Sequence, residues 1–202
     1  FPNANIVVDK FHIVQLLTRE LNKLRINEMK KLNTRSREYK ILKRYWKIPL
    51  TRKRDLNSIY FYKNRHFKNM TSSIDILDYM LKEFPNLKEA YDFYQNFLLS
   101  ISNNDVAMLE DILNTRTDKI PMCFRKSIKS LKKLRKYVVN SLKYDYTNAM
   151  VEGKNNKIKV IKRVSYGYRS FRNFKARIML MERYKIQKGN IHSYQFAMDA
   201  AA

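Results

Sequence analysis

Apolar residues recur at every third or fourth position over much of the first 145 residues, which predicts a series of helices with one buried face. The apolar positions of successive helices are Phe11, Val14, Leu17, Leu21 and Leu24; Tyr39, Leu42 and Trp46; Ile74, Leu77, Met80, Leu81 and Phe84; Leu87, Ala90, Tyr91, Tyr94 and Leu98; Met108, Leu109, Ile112 and Leu113; and Ile128, Leu131, Leu134 and Val138. Pro49, Pro85 and Pro121 separate several of these stripes. We interpret the stripes as core faces, and the last one as part of a single long basic helix.

The opening segment has a different pattern. The turn-forming pair Pro2-Asn3 precedes a short apolar run, Ala4 to Val8, in which three residues are β-branched. This run predicts a buried strand that ends at Asp9, which then caps the first helix. It is the only strand that the pattern predicts. Because a lone strand needs sheet partners and the chain begins with Phe instead of Met, we expect a longer protein whose other strands precede Phe1.

A further amphipathic helix is predicted between a cap at Thr147 or Asn148 and about Val164, before Gly167. At about 100° per residue, its polar residues share one sector. They are Glu152, Asn155, Asn156, Lys159, Lys162 and Arg163. Glu152 therefore lies near the centre of a basic face and is aligned with cations.

Charge is concentrated in two blocks of the chain. The sequence has 42 Lys and Arg against 18 Asp and Glu, for a formal net charge of +24. Residues 19–68 hold 17 basic and 4 acidic side chains, residues 74–111 hold 2 and 8, and residues 116–188 hold 22 and 4. This asymmetry indicates a polyanionic partner. With 45% hydrophobic and 13% aromatic residues, the chain also has enough apolar side chains for a folded core.

Other classes of protein fit the sequence poorly. Cys123 is the only cysteine, so it excludes an internal disulfide, and with His12, His66 and His192 it shows no zinc-ligand spacing. We therefore expect a reducing cytoplasm. No apolar run approaches the roughly 18–20 residues of a membrane span, and no signal peptide is visible. The cations lie on many predicted helices instead of one amphipathic segment, which argues against a membrane partner.

Two roles remain open for Glu152 from the pattern alone. A surface Glu at ordinary helical charge spacing contributes about a few tenths of a kcal/mol. A functional Glu implies chemistry that needs an anion beside phosphate, and Mg²⁺-dependent phosphoryl transfer is the common case. Lys159 and Arg163 would then keep the carboxylate ionised and contact the same phosphates. One carboxylate is too few for a two-metal site.

Several stretches of the sequence resemble a known family. TNAMVEGKNNKIKVIKRVSYGYRSFRNFKARI, residues 147–178, resembles the carboxy-terminal signature of the DDE transposases of bacterial insertion sequences, ISL3 group. FPNANIVVDKFHIVQLLTRELNK, at the start, resembles the segment that ends the central sheet in that group. KRYWKIPL and NLKEAYDFYQNFL lie between them, so the likeness extends to about residue 180.

The resemblance implies a mainly α chain that forms the end of a ribonuclease H-like α/β catalytic fold, with one strand retained and a large all-helical insertion. In such enzymes three acidic residues bind two Mg²⁺ ions, which activate water and then a DNA 3′-hydroxyl to attack phosphodiester bonds. Glu152 matches the third acid, both as a catalytic residue and as a metal ligand. By the same match, Asn156, Lys159 and Arg163 line the DNA side of the site.

The resemblance places the second acid after the preceding strand, so we expect both Asp residues upstream of Phe1. Asp9, at the end of the predicted strand, is the alternative second metal ligand. The favoured interpretation is that Asp9 is a cap that packs with His12 beside the site. Ala149 departs from the family, which usually has Gly in an Asn-Gly pair there, and its Cβ would alter a tight approach to DNA.

Aromatic and basic residues elsewhere give two further candidates for DNA binding. Trp46, which lies among basic residues, is a candidate for stacking on an unpaired or flipped terminal base, as an aromatic does in some related transposases. Its alternative is a core Trp between helices. Arg169 and Arg172, in and after a turn that starts at Tyr166, are candidates for phosphate contacts. The alternative for this hairpin is that its aromatic residues dock it on the core.

We expect four segments: residues 1–30, the last strand and following helix; 31–145, the helical insertion; 146–182, the Glu-bearing helix and a basic hairpin; and 183–202, a tail. The predicted function is the carboxy-terminal part of a DDE transposase that is inactive alone. Its expected partners are terminal inverted repeats, target DNA and further copies of itself, in the bacterial cytoplasm at the nucleoid. The alternative is a non-catalytic basic helical DNA- or RNA-binding protein, including a degenerate transposase remnant, in which Glu152 binds no metal.

Overall fold

The computed structural model of the chain describes residues 5–144, 146 and 148–183, and most of these residues are helical. The chain divides into two compact units, residues 1–146 and 147–202. The elements of the first unit are α1 (Lys10–Lys30), α2 (Arg37–Arg44), β1 (Tyr62–Lys63), β2 (Met70–Thr71), α3 (Ser73–Glu83), α4 (Pro85–Ser102), α5 (Val106–Asn114), α6 (Arg125–Lys133) and α7 (Arg135–Lys143). The elements of the second unit are α8 (Ala149–Val164) and α9 (Phe171–Arg183). Short 3-10 helices lie at Ile48–Leu50, Lys53–Asp55, Thr117–Lys119 and Met122–Phe124.

Capping side chains begin four helices of the first unit. They are Asp9 for α1, Ser36 for α2, Ser72 for α3 and Asp105 for α5. The Asp9 carboxylate accepts a hydrogen bond from the Phe11 N–H at 2.7 Å, which confirms the predicted cap. These contacts satisfy N–H groups that have no partner within the helix, and so they fix where each helix starts.

The core of the first unit forms around α1, which packs against α2, α4, α6 and α7. The buried side chains of α1 are Ile13, Leu17, Leu21 and Arg25. Tyr94 of α4 is also buried; its hydroxyl lies 2.7 Å from Thr18 Oγ1 and donates to the Leu50 carbonyl at 3.2 Å. This hydroxyl therefore joins α1, α4 and the first 3-10 helix.

The predicted apolar stripes are confirmed in some helices and displaced in others. In α4, all five residues of the stripe are buried: Leu87, Ala90, Tyr91, Tyr94 and Leu98. In α1, Ile13 is buried, whereas Phe11 is exposed. At 100° per residue Phe11 and Ile13 lie on nearly opposite sides of α1, and the buried side is that of Ile13, Leu17 and Leu21.

The predicted strand over residues 4–8 is wrong for residues 5–8, which have no regular secondary structure; Ala4 lies outside the described residues. The backbone groups of this segment bond to α7 instead: the Val8 N–H donates to the Tyr137 carbonyl at 3.3 Å, and Asn140 Nδ2 donates to the Ile6 carbonyl at 3.0 Å. Ile6 is exposed, so the segment is not buried as predicted. A strand requires a neighbouring strand for its backbone hydrogen bonds, and none of the described residues supplies one.

The structure differs from the predicted elements in two further places, a short strand pair and a divided helix. β1 and β2 form an antiparallel pair, with Tyr62 opposite Thr71 and Lys63 opposite Met70. Strands of two residues are too short to show an alternating pattern, which is why the sequence gives no signal for them. The long basic helix predicted after Pro121 is two helices, α6 and α7, because Leu134 between them leaves the helical conformation.

In the second unit, α8 and α9 form a helical hairpin. Lys157 of α8 donates a hydrogen bond from Nζ to the carbonyl of Met181 in α9 at 3.2 Å. The tail expected at residues 183–202 lies outside the described residues from position 184 onward.

Arg25 is a buried cation that joins α1 to the end of α2. Its guanidinium donates to the Leu42 carbonyl at 2.7 Å and to Asn22 Oδ1 at 2.9 Å. Leu42 lies in the last turn of α2, where main-chain carbonyls lack helical partners and favour a nearby cation. Burial lowers the pKa of Arg25 from its ordinary value, although the side chain stays charged at neutral pH.

We expect Arg25→Met to lower the free energy of unfolding by about 1–3 kcal/mol, because the Leu42 carbonyl would stay buried without its donor. Chemical denaturation followed by circular dichroism measures this change. The control is Lys23→Met on the exposed side of the same helix, which we expect to change stability by no more than about 0.5 kcal/mol. Equal or greater stability of Arg25→Met would show that relief from burying the charge outweighs the lost hydrogen bonds.

Candidate nucleic-acid interface

Helix α8, which carries Glu152, has well-defined ends. Asn148 holds its N-cap position, and Thr147 lies outside the described residues. The helix ends at Val164 because Tyr166 and Gly167 have φ values of 52° and 100°. Their N–H groups donate back to carbonyls of the last turn at 3.0 and 3.1 Å, a common way to end a helix. The predicted end before Gly167 is confirmed.

Glu152, Asn156, Lys159 and Arg163 are all exposed and lie along one side of α8, which we call the α8 polar face. At 100° per residue, the last three lie within about 40° of the Glu152 direction. At 1.5 Å per residue, the row from Glu152 to Arg163 is about 16 Å long. The α8 polar face is therefore a straight row of hydrogen-bonding and charged groups with its single carboxylate at the amino-terminal end.

Helix α9 covers a different side of α8. Lys157, which contacts the backbone of α9, lies about 140° around the helix from Glu152. Ile161, about 180° from Glu152, is the buried residue of α8. The contact with α9 thus leaves the α8 polar face uncovered within the second unit.

The aromatic residues of the hairpin divide into two pairs. Tyr168 and Phe174 pack together with ring centroids 4.9 Å apart, and the Tyr168 hydroxyl lies 2.8 Å from Ser165 Oγ. These two residues hold the turn together. Tyr166 and Phe171 are instead exposed, so packing of the hairpin does not explain them.

Arg169 lies in the turn between α8 and α9, and Arg172 lies in the first turn of α9; both side chains are exposed. The structure thus brings Arg169 and Arg172 into the same hairpin as Glu152, Asn156, Lys159 and Arg163. Contact of any of these residues with phosphate remains a prediction.

Two candidates from the sequence, Trp46 and Asp9, belong to the first unit. Trp46 follows α2 and is 41% exposed, with the Lys47 ammonium 5.5 Å from its ring centroid. Its alternative as a core residue is wrong, because its side chain is exposed, whereas Leu42 of the same predicted stripe is buried. Asp9 caps α1, as described above.

The described residues do not fit a complete two-metal site. Nowhere among them do three His, Cys, Asp or Glu side chains come together in a way that would hold a metal ion. Glu152 supplies one carboxylate, which suffices as a ligand but not for two ions. Cys123 is also a poor ligand, because burial raises the pKa of its thiol to about 11 and keeps it protonated.

None of the helices in the described part of the chain has the length and apolar character needed to cross a membrane.

Comparison with known proteins identifies the family. A family model described as a transposase, for DDE enzymes of the ISL3 group, matches residues 1–178. A protein of Lactococcus lactis subsp. lactis described as an ATP-dependent protease is 38% identical over 121 residues, which is 60% of this chain and 38% of that protein. The chain thus spans well under two thirds of that relative. No solved structure matches the chain. Because the family match covers most of the sequence, including all of α8, the chain belongs to the ISL3 group of DDE transposases.

Proposed function

We propose that this chain is the carboxy-terminal part of a transposase that cuts the DNA ends of an insertion sequence and joins them to a target. The observation that carries the proposal is the family match over residues 1–178, which includes the helix of Glu152. The exposed α8 polar face supports it, because Glu152 and two cations are open to the same ligand. The proposed partners are terminal inverted repeats and target DNA, bound by more than one copy of the protein in the bacterial cytoplasm, at the nucleoid.

The charge of the chain supports DNA as the ligand. A net charge of +24 favours binding to a polyanion. Because binding releases counterions from DNA, the affinity falls as the salt concentration rises. Asn156, Lys159, Arg163, Arg169 and Arg172 are all exposed and all able to donate hydrogen bonds to phosphate oxygens. Trp46 supplies an exposed ring of the kind that stacks on unpaired bases.

Glu152 is the residue of this chain that we assign to the chemistry. DDE transposases generally use divalent metal ions, and Mg²⁺ binds carboxylate oxygens together with substrate phosphates and water. We propose that Glu152 contributes one such carboxylate, and that a ribonuclease H-like sheet preceding Phe1 supplies the other two. Lys159 and Arg163, farther along the same face, would hold the DNA strand beside it.

We favour a structural role for Asp9. One of its carboxylate oxygens accepts the hydrogen bond that begins α1, the longest helix of the described residues. Helix capping is sufficient to explain an Asp at this position. The alternative role, as a second metal ligand, needs evidence other than the cap.

The description of the Lactococcus lactis relative points to a different function, ATP-dependent proteolysis. Phosphate-binding loops of ATPases need closely spaced glycines and a Gly-Lys-Ser/Thr sequence. This chain has three glycines, at positions 153, 167 and 189, and no such sequence. The 202 residues therefore contain no phosphate-binding loop of this kind.

In the full-length enzyme, we expect Glu152→Gln to lower the rate of DNA cleavage by about a hundredfold or more, because several kcal/mol of electrostatic stabilisation would be lost. DNA affinity should not fall, since the substitution removes a negative charge and no phosphate contact. Gel assays of cleavage and binding with terminal-repeat DNA measure both. The control is Glu89→Gln, an exposed Glu on α4. An equal loss of binding and cleavage would make Glu152 a structural residue.

We expect the purified 202-residue chain not to cleave terminal-repeat DNA in the presence of Mg²⁺ or Mn²⁺. The reason is that Glu152 alone leaves two metal ions without enough ligands, and the described residues contain no group of three or more His, Cys, Asp or Glu side chains that could hold a metal ion. Incubation with labelled duplex, beside the full-length enzyme as positive control, tests this. Metal-dependent cleavage by the short chain that Glu152→Gln abolishes would place a complete site within it.

Lys159 and Lys154 give a matched test of the α8 polar face. Both are exposed lysines on α8, but Lys154 lies about 200° around the helix from Glu152, and Lys159 about 20°. We expect Lys159→Gln to weaken DNA binding and to lower the magnitude of the log K against log salt slope by about 0.9, the value of one lost phosphate contact. Lys154→Gln should change neither. Equal effects of the two substitutions would mean that only net charge matters.

A further inference from the structure

A second basic surface lies in the first unit, between α2 and the loop that joins β1 to β2. Its lining side chains are Lys40, Lys43, Arg44, Arg65 and His66. We call this surface the α2 cleft; it is an open depression with a volume of about 680 Å³. Its lining includes four cations but, within the described part of the chain, no carboxylate and no apolar side chain.

The sequence of α2 places its cations on one side. Taking 100° per residue, Lys40 and Arg44 lie about 40° apart, whereas Glu38 lies about 160° from Lys40. Glu38 is turned toward α3, where its carboxylate accepts a hydrogen bond from the Tyr79 hydroxyl at 3.3 Å. The acid of this helix therefore does not neutralise the cleft.

The opposite wall is fixed to α2 by hydrogen bonds and ring contacts. Arg37 Nε donates to the His66 carbonyl at 2.7 Å, and its guanidinium lies over the rings of Phe67 and Tyr79, 5.2 and 4.8 Å from their centroids. These contacts hold the β1–β2 loop in place before any ligand binds. A preformed site loses less conformational entropy on binding than a mobile one.

The amino-terminal end of this loop is anchored as well. The Tyr45 hydroxyl donates to Asn64 Oδ1 at 2.8 Å, and the Asn64 amide donates to Thr71 Oγ1. Asn64 and Thr71 are buried, so this polar chain is shielded from water. Arg65, the next residue, is exposed at the cleft.

The electrostatics of the cleft are visible at His66. Its pKa lies below the ordinary value, first because of burial and then because of the charges of Arg44, Arg65, Lys40 and Arg37. The imidazole is therefore neutral at pH 7, and the cations around it repel one another. A bound anion would relieve this repulsion, whereas a cation or an apolar group would not.

We propose that the α2 cleft binds the sugar-phosphate backbone of DNA, as a contact additional to the α8 polar face. The chemistry of the lining favours a chain of phosphates over a small molecule: small-molecule pockets are lined mainly by hydrophobic residues, whereas this cleft is lined by four cationic side chains and a histidine, and its apolar surface comes from their carbon atoms. Separated cations on a fixed frame suit successive phosphates of one strand. The proposal rests on the proposed function in taking DNA as the ligand.

The test compares two double substitutions that remove the same charge. Lys40→Gln with Arg65→Gln removes two cations from the cleft, and neither side chain makes a hydrogen bond or an ion pair with another described residue. Lys82→Gln with Lys88→Gln is the control, because these exposed lysines line a different pocket together with Asp78 and Asp92. The 202-residue chain is titrated into a fluorescein-labelled 20-base-pair duplex at several salt concentrations, with fluorescence anisotropy as the readout.

We expect the cleft variant to bind at least about tenfold more weakly at 0.1 M salt and its salt slope to fall by about 1.8, twice the value of one phosphate contact. The control variant should bind as the unsubstituted chain does. Circular dichroism spectra of both variants confirm that they fold. In the unsubstituted chain, DNA should also raise the pKa of His66, measured from its imidazole proton resonances and assigned with His66→Gln.

Each contrary result has a distinct meaning. If the cleft variant and the control bind equally well, the cleft makes no DNA contact, and the proposed function stands. If inorganic phosphate displaces the duplex at an ionic strength matched with chloride, the cleft is a small-anion site and the proposal is wrong. If the unsubstituted chain itself fails to bind duplex, the assumption of DNA as ligand fails, and the cleft proposal fails with it.

Discussion

Burial of one side of α1 is the interaction on which the first unit depends. Ile13, Leu17 and Leu21 are almost wholly inaccessible, and four other helices pack around them. Apolar burial contributes roughly 25 cal/mol per Å², and it has to outweigh the mutual repulsion of a chain with a net charge of +24. The cations can be gathered on outer surfaces because this core does not need them, with the exception of Arg25. Arg25 is accommodated because the end of α2 presents the Leu42 carbonyl to it.

The sequence was sufficient to predict features that depend on a single helix and its ends. The stripe of α4, the cap at Asp9 and the end of α8 before Gly167 follow from spacing and backbone preference within a few residues, and the structure confirms them. The alignment of Glu152 with Lys159 and Arg163 belongs to the same class, since it needs only the helical repeat. The helical repeat does not indicate what chemistry the α8 polar face performs; that expectation comes from the family match.

The failures of prediction have a different physical origin. The apolar run before Asp9 has strand composition, but its backbone groups bond to α7 because the described residues include no strand that pairs with it. The β1–β2 pair has too few residues for any pattern. The α2 cleft was missed because its walls are about 25 positions apart in sequence, and tertiary contacts such as those of Arg37 and Tyr45 bring Lys40 close to Arg65. A basic block read along the chain shows that cations are abundant; it does not show which of them share a surface.

The two basic surfaces differ in one respect that bears on their roles. The α2 cleft holds cations without a carboxylate, an arrangement that attracts phosphate and offers no group for reaction. The α8 polar face begins with Glu152, which by itself weakens attraction to phosphate. Glu152 lies in the first turn of α8, where a carboxylate interacts favourably with the helix dipole, so its position has a structural explanation beside the proposed one, a divalent ion that would bridge it to DNA. On the two proposals, the first unit would contribute affinity for DNA, and the second would add Glu152, an acidic group aligned with Lys159 and Arg163.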